Sequence, residues 1–301
     1  MRVAVVGVGA MGEHHARIYS QLRNCEVVGV MDVDPERAKA VAQKYGTKAF
    51  DTTKALLKEK PDAVSIVVPT SLHKEVASKF LSEGVSCLVE KPIASSLEEA
   101  RSLISLSESK GATLMVGHIE RFNPAVLKLK EVVKEGKLGK ILLLSTRRVG
   151  PLATRIRDVG IIVDSATHDI DVIRYMTESE PKLIRAVSGN YQHAKEDYAI
   201  IVMELDKTIA SVEVNWFTPV KVRTLIATGT EGTANLNYID QTVEIFNSAG
   251  RTQLDVAKEE PLKVELKHFV DCVETGRKPL VDGTEGLRNL EIALAATRGG
   301  T

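Results

Sequence analysis

The hydrophobic pattern of the first third of the chain alternates between two kinds of segment. Short apolar runs, typical of buried strands, are separated by longer segments whose apolar residues recur at helical spacing. Such alternation predicts an α/β domain with a doubly wound parallel sheet and helices on both faces. The predicted strands are 3–6, 27–31, 63–68, 85–89 and 112–116, and the predicted helices are 13–22, 35–45, 52–60, 71–83 and 97–110.

Beyond about residue 120 the pattern changes. Most segments there alternate between apolar and polar residues and are rich in β-branched side chains, which favours an antiparallel sheet. We therefore predict a C-terminal α+β domain, residues 121–301, with an open, mainly antiparallel sheet. Its predicted strands are 140–148, 183–188, 197–205, 208–214, 221–228, 232–236 and 242–246, and its predicted helices are 124–134, 164–175, 261–275 and 283–296.

A glycine turn follows the first predicted strand, in the run Gly7-Val8-Gly9-Ala10-Met11-Gly12. The first glycine permits a tight turn, the second lets the backbone approach a pyrophosphate, and the third lets the helix pack closely. The alternative is an ordinary glycine-rich turn that binds nothing. The context, strand before and helix after, favours a dinucleotide-binding Rossmann domain over residues 1–120. The predicted cofactor contacts here are Gly7, Gly9, Ala10, Met11, Gly12 and Asp32.

The choice between NAD and NADP depends on Asp32, which ends the second predicted strand. A carboxylate at this place accepts hydrogen bonds from a ribose hydroxyl and repels a 2′-phosphate. We therefore predict NAD as the cofactor. Arg37 lies close in sequence and could soften the repulsion, so NADP remains possible.

Further candidate residues follow the third and fourth predicted strands. Ligands of doubly wound sheets bind at the carboxyl ends of the strands. Lys91 could donate a hydrogen bond to a substrate oxygen there; the alternative is a surface lysine. His73 could contact the cofactor; the alternative is that it has a structural role. The predicted cofactor contacts at these strand ends are Pro69, Thr70, His73, Glu90 and Lys91.

Asp164 and His168 form the second chemical pattern, four residues apart in a predicted helix. Positions at this spacing share a helical face, so the carboxylate could orient an imidazole that accepts a proton from an alcohol. The alternative is a helix-capping Asp and a surface His.

Five arginines are clustered in an otherwise neutral chain. They suit a phosphate or carboxylate on a substrate, although a solvated face is the alternative. Among the other histidines, His15 could approach the nicotinamide side and His118 could face the cleft. The arginines are Arg121, Arg147, Arg148, Arg155 and Arg157.

Composition narrows the class of protein. The 301 residues carry 40 basic and 40 acidic side chains, so the net charge is zero and nothing draws the whole chain to nucleic acid or a membrane surface. No apolar stretch reaches the roughly 18 residues of a membrane span. The three cysteines lie far apart, and no close set of His and Cys suggests a metal site. These features favour a cytoplasmic protein without a metal.

Taken together, the glycine turn, Glu90-Lys91-Pro92 and Asp164-x3-His168 resemble the Gfo/Idh/MocA family of NAD(P)-dependent oxidoreductases over almost the whole chain. The resemblance implies a dehydrogenase acting on CH–OH groups. It implies that His168 takes or returns the hydroxyl proton, that Lys91 polarises the oxygen, and that Asp164 tunes the site.

A narrower resemblance concerns residues 117–124 and 147–151, which look like those of members acting on UDP-linked amino sugars such as UDP-N-acetylglucosamine. An inositol- or free-sugar-type dehydrogenase and a non-catalytic dinucleotide-binding regulator are the alternatives. An open sheet with an apolar face also predicts a homodimer or homotetramer. The predicted substrate contacts are Arg121, Asn123, Arg148, Arg155, Asp164 and His168.

Overall fold

A computed structural model of the chain describes residues 1–151 and 159–300. These residues form two compact units. One comprises Met1–His118 and Leu262–Arg288, and the other comprises Ile119–Pro261 and Asn289–Thr301. Each unit is a separate body of sheet and helices.

The first unit is built on a six-stranded parallel sheet with the order β3-β2-β1-β4-β5-β6. This is the strand order of a Rossmann fold, so the predicted α/β class is confirmed. The sequence analysis did not predict the two-residue strand β3. The elements are β1 (Arg2–Val6), α1 (Ala10–Gln21), β2 (Glu26–Met31), α2 (Pro35–Tyr45), β3 (Ala49–Phe50), α3 (Thr53–Leu57), β4 (Ala63–Ile66), α4 (His73–Leu81), β5 (Ser86–Glu90), α5 (Leu97–Lys110) and β6 (Leu114–Gly117).

Local sequence fixes the ends of these helices. The Asp34 side chain accepts hydrogen bonds from the N–H groups at the start of α2, and Gly46 ends that helix with a positive φ of 64°. Ser96 and Gly111 do the same for α5. Polar N-caps satisfy N–H groups that a helix leaves unpaired, and glycine adopts the left-handed conformation at low cost. The capping residues therefore made both helices predictable to the residue.

The second unit contains an eight-stranded sheet with the order β14-β13-β12-β11-β7-β10-β9-β8. Its pairs are antiparallel except β7 with β10, which are parallel. The predicted open, mainly antiparallel sheet is confirmed. Strand β14 was not predicted. The elements are α6 (Pro124–Lys134), β7 (Ile141–Pro151), α7 (Thr167–Thr177), β8 (Leu183–Gly189), β9 (Tyr198–Leu205), β10 (Thr208–Asn215), β11 (Phe217–Gly229), β12 (Gly232–Asn237), β13 (Thr242–Asn247) and β14 (Gly250–Gln253).

The two faces of this sheet differ. Burial alternates along β9, because successive side chains point to opposite faces. One face packs with α6 and α7 around a core that includes Leu129, Ile170 and Ile201. The other face exposes apolar side chains on adjacent strands: Leu143, Ile200, Val202, Ile209 and Ile226.

The returning segment Leu262–Arg288 belongs to the first unit, whereas the sequence analysis placed it in the second domain. It carries α8 (Pro261–Thr275) and the start of α9 (Gly283–Thr297). The N–H of Val116 in β6 donates to the carbonyl of Val281 at 2.9 Å. A Cβ on Gly286 would lie 2.5 Å from the Val116 side chain, so its absence allows close packing against that strand. Such long-range pairing leaves no local signal in the sequence.

Candidate active site

The glycine turn joins β1 to α1, and its three glycines do different things. Gly7 has a φ of +85°, and its N–H donates to the carbonyl of Met31 at 2.7 Å. A Cβ on Gly12 would lie 1.8 Å from the carbonyl oxygen of Gly7, so α1 can approach the turn only without a side chain there. A Cβ on Gly9 would meet nothing within 4 Å. The space beside Gly9 is therefore open to a ligand.

The start of α1 adds a favourable place for phosphate. Gly9 is its N-cap, and no side chain caps the helix. Ala10 and Met11 form its first turn, where N–H groups and the positive end of the helix dipole attract an anion. These residues fit the pyrophosphate of a dinucleotide. A bound nicotinamide dinucleotide would supply the hydride chemistry.

Asp32 ties the end of β2 to the glycine turn. Its carboxylate accepts the N–H of Val8 at 2.8 Å and that of Asp34 at 2.9 Å, and it is 5% exposed. The guanidinium of Arg37 lies 3.2 Å from both Asp32 and Asp34. Asp32, the carboxylate predicted to accept hydrogen bonds from the ribose, thus has the cation Arg37 beside it.

The ends of β4 and β5 are held by His73. Pro69 precedes a single 3-10 turn, Thr70–Leu72, and His73 opens α4. Its ring nitrogens face the carbonyl oxygens of Pro92 and Val68 at 2.8 and 2.9 Å, and burial lowers its pKa. His73 is 1% exposed, so this geometry supports a structural role, and its contact with the cofactor stays a prediction.

Glu90, the residue before Lys91, forms a buried pair with the imidazole of His15. His15 in α1 places Nε2 3.3 Å from Glu90 Oε1, and the backbone N–H of Lys91 donates to Glu90 Oε2 at 3.2 Å. Burial alone would raise the pKa of Glu90, but the bond from His15 and the charges of His15 and Lys91 outweigh it and lower that pKa. His15 is fully buried, so it contacts the Glu-Lys-Pro segment and not solvent. His118, predicted to face the cleft, is also buried at 1%.

In the second unit a π-helical turn, Ile162–Ala166, leads into α7. Asp164 lies in that turn and His168 in α7, so their spacing departs from that of the predicted regular α-helix. Both side chains are partly exposed. The hydroxyl of Ser165 donates to Asp164 Oδ2 at 3.0 Å.

Two of the clustered arginines are buried in ion pairs. Arg148 Nε lies 2.6 Å from Asp169, and its Nη1 lies 3.0 Å from Glu120. Arg121 Nε lies 2.7 Å from Asp171. The two arginines are 6% and 3% exposed. The two carboxylates outweigh the burial of Arg148 and raise its pKa. These guanidiniums neutralise internal acids, and their contact with a substrate phosphate stays a prediction.

Asn123 and the remaining clustered arginines lie in different surroundings. Asn123 is 2% exposed and caps α6: its Oδ1 accepts the N–H of Ala125 at 3.1 Å, and its Nδ2 donates to Glu120 at 3.1 Å. Arg147 pairs with Glu213 at 3.0 Å on the surface. Arg155 and Arg157 lie outside the described residues.

Arg223 is a cation that the sequence analysis missed. It is the cross-strand neighbour of Arg148 in β11, lies 3.9 Å from Glu120, and keeps 42% of its side chain exposed. Burial and the charge of Arg148 lower its pKa. The only sign of Arg223 in the sequence is a charged residue within a β-branched run. Many exposed sheet surfaces show the same pattern, so it does not indicate a site.

Residues 1–151 and 159–300 contain no group of three or more His, Cys, Asp or Glu placed to hold a metal. No helix in the same ranges is long and apolar enough to cross a membrane.

The strand order and the glycine turn define a dinucleotide-binding domain. Residues 1–118 match the Gfo/Idh/MocA oxidoreductase family, NAD-binding Rossmann fold, and residues 126–235 match the Gfo/Idh/MocA C-terminal domain. The chain belongs to this family, which confirms the resemblance, the NAD cofactor and the dehydrogenase class. The alternative of a non-catalytic regulator is thereby set aside.

Two curated relatives match nearly the whole chain. UDP-N-acetylglucosamine 3-dehydrogenase from Acidithiobacillus ferrooxidans is 32% identical over 98% of this chain and 95% of its own. The scyllo-inositol 2-dehydrogenase (NAD(+)) of Bacillus subtilis is 32% identical over 99% of this chain and 93% of its own. A solved structure of the Acidithiobacillus enzyme superposes with a TM-score of 0.92 and 33% identity, covering 99% of this chain and 97% of that one.

Proposed function

We propose that this chain uses NAD to oxidise a ring hydroxyl of a sugar, and that its substrate is a UDP-linked amino sugar such as UDP-N-acetylglucosamine. The observation that carries the proposal is the similarity to the Acidithiobacillus enzyme, which extends over both units in sequence and in structure. The motif residues 117–124 and 147–151 support the same substrate class.

The roles of the three catalytic residues belong to this proposal. In oxidation, bound NAD would accept the hydride from the hydroxyl carbon, while the hydroxyl proton passes to His168 and a ketone remains. Lys91 stabilises the developing negative charge on the oxygen by donating a hydrogen bond. Asp164 favours the protonated imidazole through its charge. The reverse reaction runs through the same groups.

An inositol- or free-sugar-type dehydrogenase is the second candidate, and a specific observation favours it. Arg121 and Arg148 are paired with internal carboxylates, so the charge argument for a diphosphate loses two of its cations. The scyllo-inositol dehydrogenase is also as similar as the nucleotide-sugar enzyme, at 32% identity.

The test is to compare kcat/KM for UDP-N-acetylglucosamine, free N-acetylglucosamine, myo-inositol and scyllo-inositol, with NAD in excess. A clear preference for the nucleotide sugar supports the first proposal. Equal or better turnover of an uncharged polyol rejects it and establishes the second candidate.

We also propose that two or four copies associate through the exposed apolar face of the eight-stranded sheet. Leu143, Ile200, Val202, Ile209 and Ile226 lie on adjacent strands there, and exposed patches of this kind are typical of interfaces. Replacing Ile200 and Ile209 with Asp should lower the molar mass measured by light scattering to that of one chain. A single-chain mass for the unaltered protein would reject the proposal.

A further inference from the structure

The helix that carries the proposed acid–base pair has no cap of its own. The π-helical turn starts after Ile161, which offers no side-chain acceptor. The first N–H groups of a helix have no partner within it. Ile161 and Ile162 are fully buried, so water is not at hand to accept from them. An acceptor from elsewhere in the chain is required.

Glu196, on the segment leading into β9, supplies that acceptor twice. Its backbone carbonyl accepts the N–H of Ile161 at 3.0 Å, and its Oε1 accepts the N–H of Ile162 at 3.2 Å. A carboxylate at this end of a helix also interacts favourably with the helix dipole. One residue, more than thirty positions away in sequence, therefore fixes where this turn begins.

Gly160 provides the space for this contact. A Cβ there would lie 2.1–2.2 Å from the carboxylate atoms of Glu196. The carbonyl of Gly160 also accepts the N–H of Asp164 at 3.0 Å, which closes the first turn. Asp164 is thus hydrogen-bonded to the same short segment that Glu196 holds in place.

The position of Glu196 is itself fixed by its neighbour. The Asp197 carboxylate accepts the N–H groups of Tyr191 and Gln192, each at 2.7 Å. The Asp197 N–H donates to the carbonyl of Gly189 at 2.8 Å, and its carbonyl accepts the N–H of Trp216 at 3.1 Å. Glu196 is therefore held in place before it meets the helix.

We propose that Glu196 is a positioning residue for Asp164 and His168, acting by capping the π-helical turn from outside the helix. The inference rests on the proposed acid–base role of His168. Misplacing a reacting group by about 1 Å can cost about 100-fold in rate. Loss of the cap should therefore lower kcat while leaving the binding of NAD to the other unit unchanged.

The test compares Glu196→Ala with Glu196→Gln, whose amide oxygen can accept the same hydrogen bond. We expect Glu196→Ala to lower kcat about 10- to 100-fold and Glu196→Gln to remain within about threefold, both with an unchanged Kd for NAD. Glu231→Ala, an exposed glutamate before β12, is the control and should retain full kcat. Equal losses in the Ala and Gln variants would overturn the proposal.

Two further variants keep the test decisive. Gly160→Ala drives a methyl group toward the Glu196 carboxylate and should reproduce the loss of kcat if Glu196→Ala does not fold. In a His168→Ala background, Glu196→Ala should add little further loss, because the two act on the same step. If His168→Ala alone keeps normal turnover, the proposed function fails; if His168→Ala is inactive but Glu196→Ala is not, only the role of Glu196 fails.

Discussion

The two units differ in the local setting of the residues predicted to bind ligands. In the first unit the site consists of backbone left bare: Gly7, Gly9 and Gly12 remove side chains so that N–H groups and open space face a ligand. In the second unit, predicted substrate contacts such as Arg148 are packed against buried carboxylates, here Asp169 and Glu120. A bare-backbone site is encoded within a few neighbouring residues, whereas a charge network is encoded by partners that are distant along the chain.

The largest expected effect concerns the second unit. His168→Ala removes the proposed proton acceptor and should lower kcat by about 100- to 10,000-fold, with NAD affinity unchanged because the glycine turn is intact. Steady-state kinetics and a binding titration measure the two quantities. The exposed His14→Ala is the control. Near-normal turnover of His168→Ala would contradict the assignment of His168 as the proton acceptor.

The next effect separates a buried ion pair from a surface ion pair. Arg148→Met leaves Asp169 and Glu120 buried without their cation, which should lower the free energy of unfolding by about 3–5 kcal/mol. Arg147→Met, its neighbour on the exposed face, breaks a surface pair and should cost about 0–1 kcal/mol. Urea unfolding followed by fluorescence compares them. If instead Arg148→Met is stable and raises KM for a nucleotide sugar, Arg148 contacts substrate after all.

The first unit can be tested by adding a single methyl group. Gly9→Ala places a Cβ where the protein itself has nothing within 4 Å, so the melting temperature should hardly change. The same methyl would occupy the approach of the pyrophosphate, and Kd for NAD should rise about tenfold, or about 1.4 kcal/mol. Gly12→Ala should in contrast destabilise the fold, since its Cβ would lie 1.8 Å from a backbone oxygen. Unchanged NAD affinity in Gly9→Ala would contradict the bare-backbone account.

The same contrast explains what could be predicted from the sequence. The bounds of α2, α5 and α6 follow from Asp34, Ser96 and Asn123, caps that sit beside the helices they start. The capping role of Asn123 was not predicted, because a polar residue beside a motif does not reveal its partners. The pairing of Arg121 with Asp171 spans 50 residues. The π-helical turn at Asp164 was also missed, since its support comes from Glu196.

The smallest expected effect concerns Arg37, a charged side chain of the first unit that lies beside the carboxylate predicted to select the cofactor. Its guanidinium lies 3.2 Å from Asp32 and is 48% exposed. Because it offsets the carboxylate that would repel a 2′-phosphate, Arg37→Ala should weaken NADP more than NAD. A solvent-exposed charge contact contributes about 0.2–1 kcal/mol, so the ratio of the two dissociation constants should shift by about two- to fivefold toward NAD. Lys39→Ala, which removes an exposed cation of the same helix paired with Glu36, should leave the ratio unchanged. A shift toward NADP in Arg37→Ala would show that Arg37 restrains Asp32 and does not itself favour the phosphate.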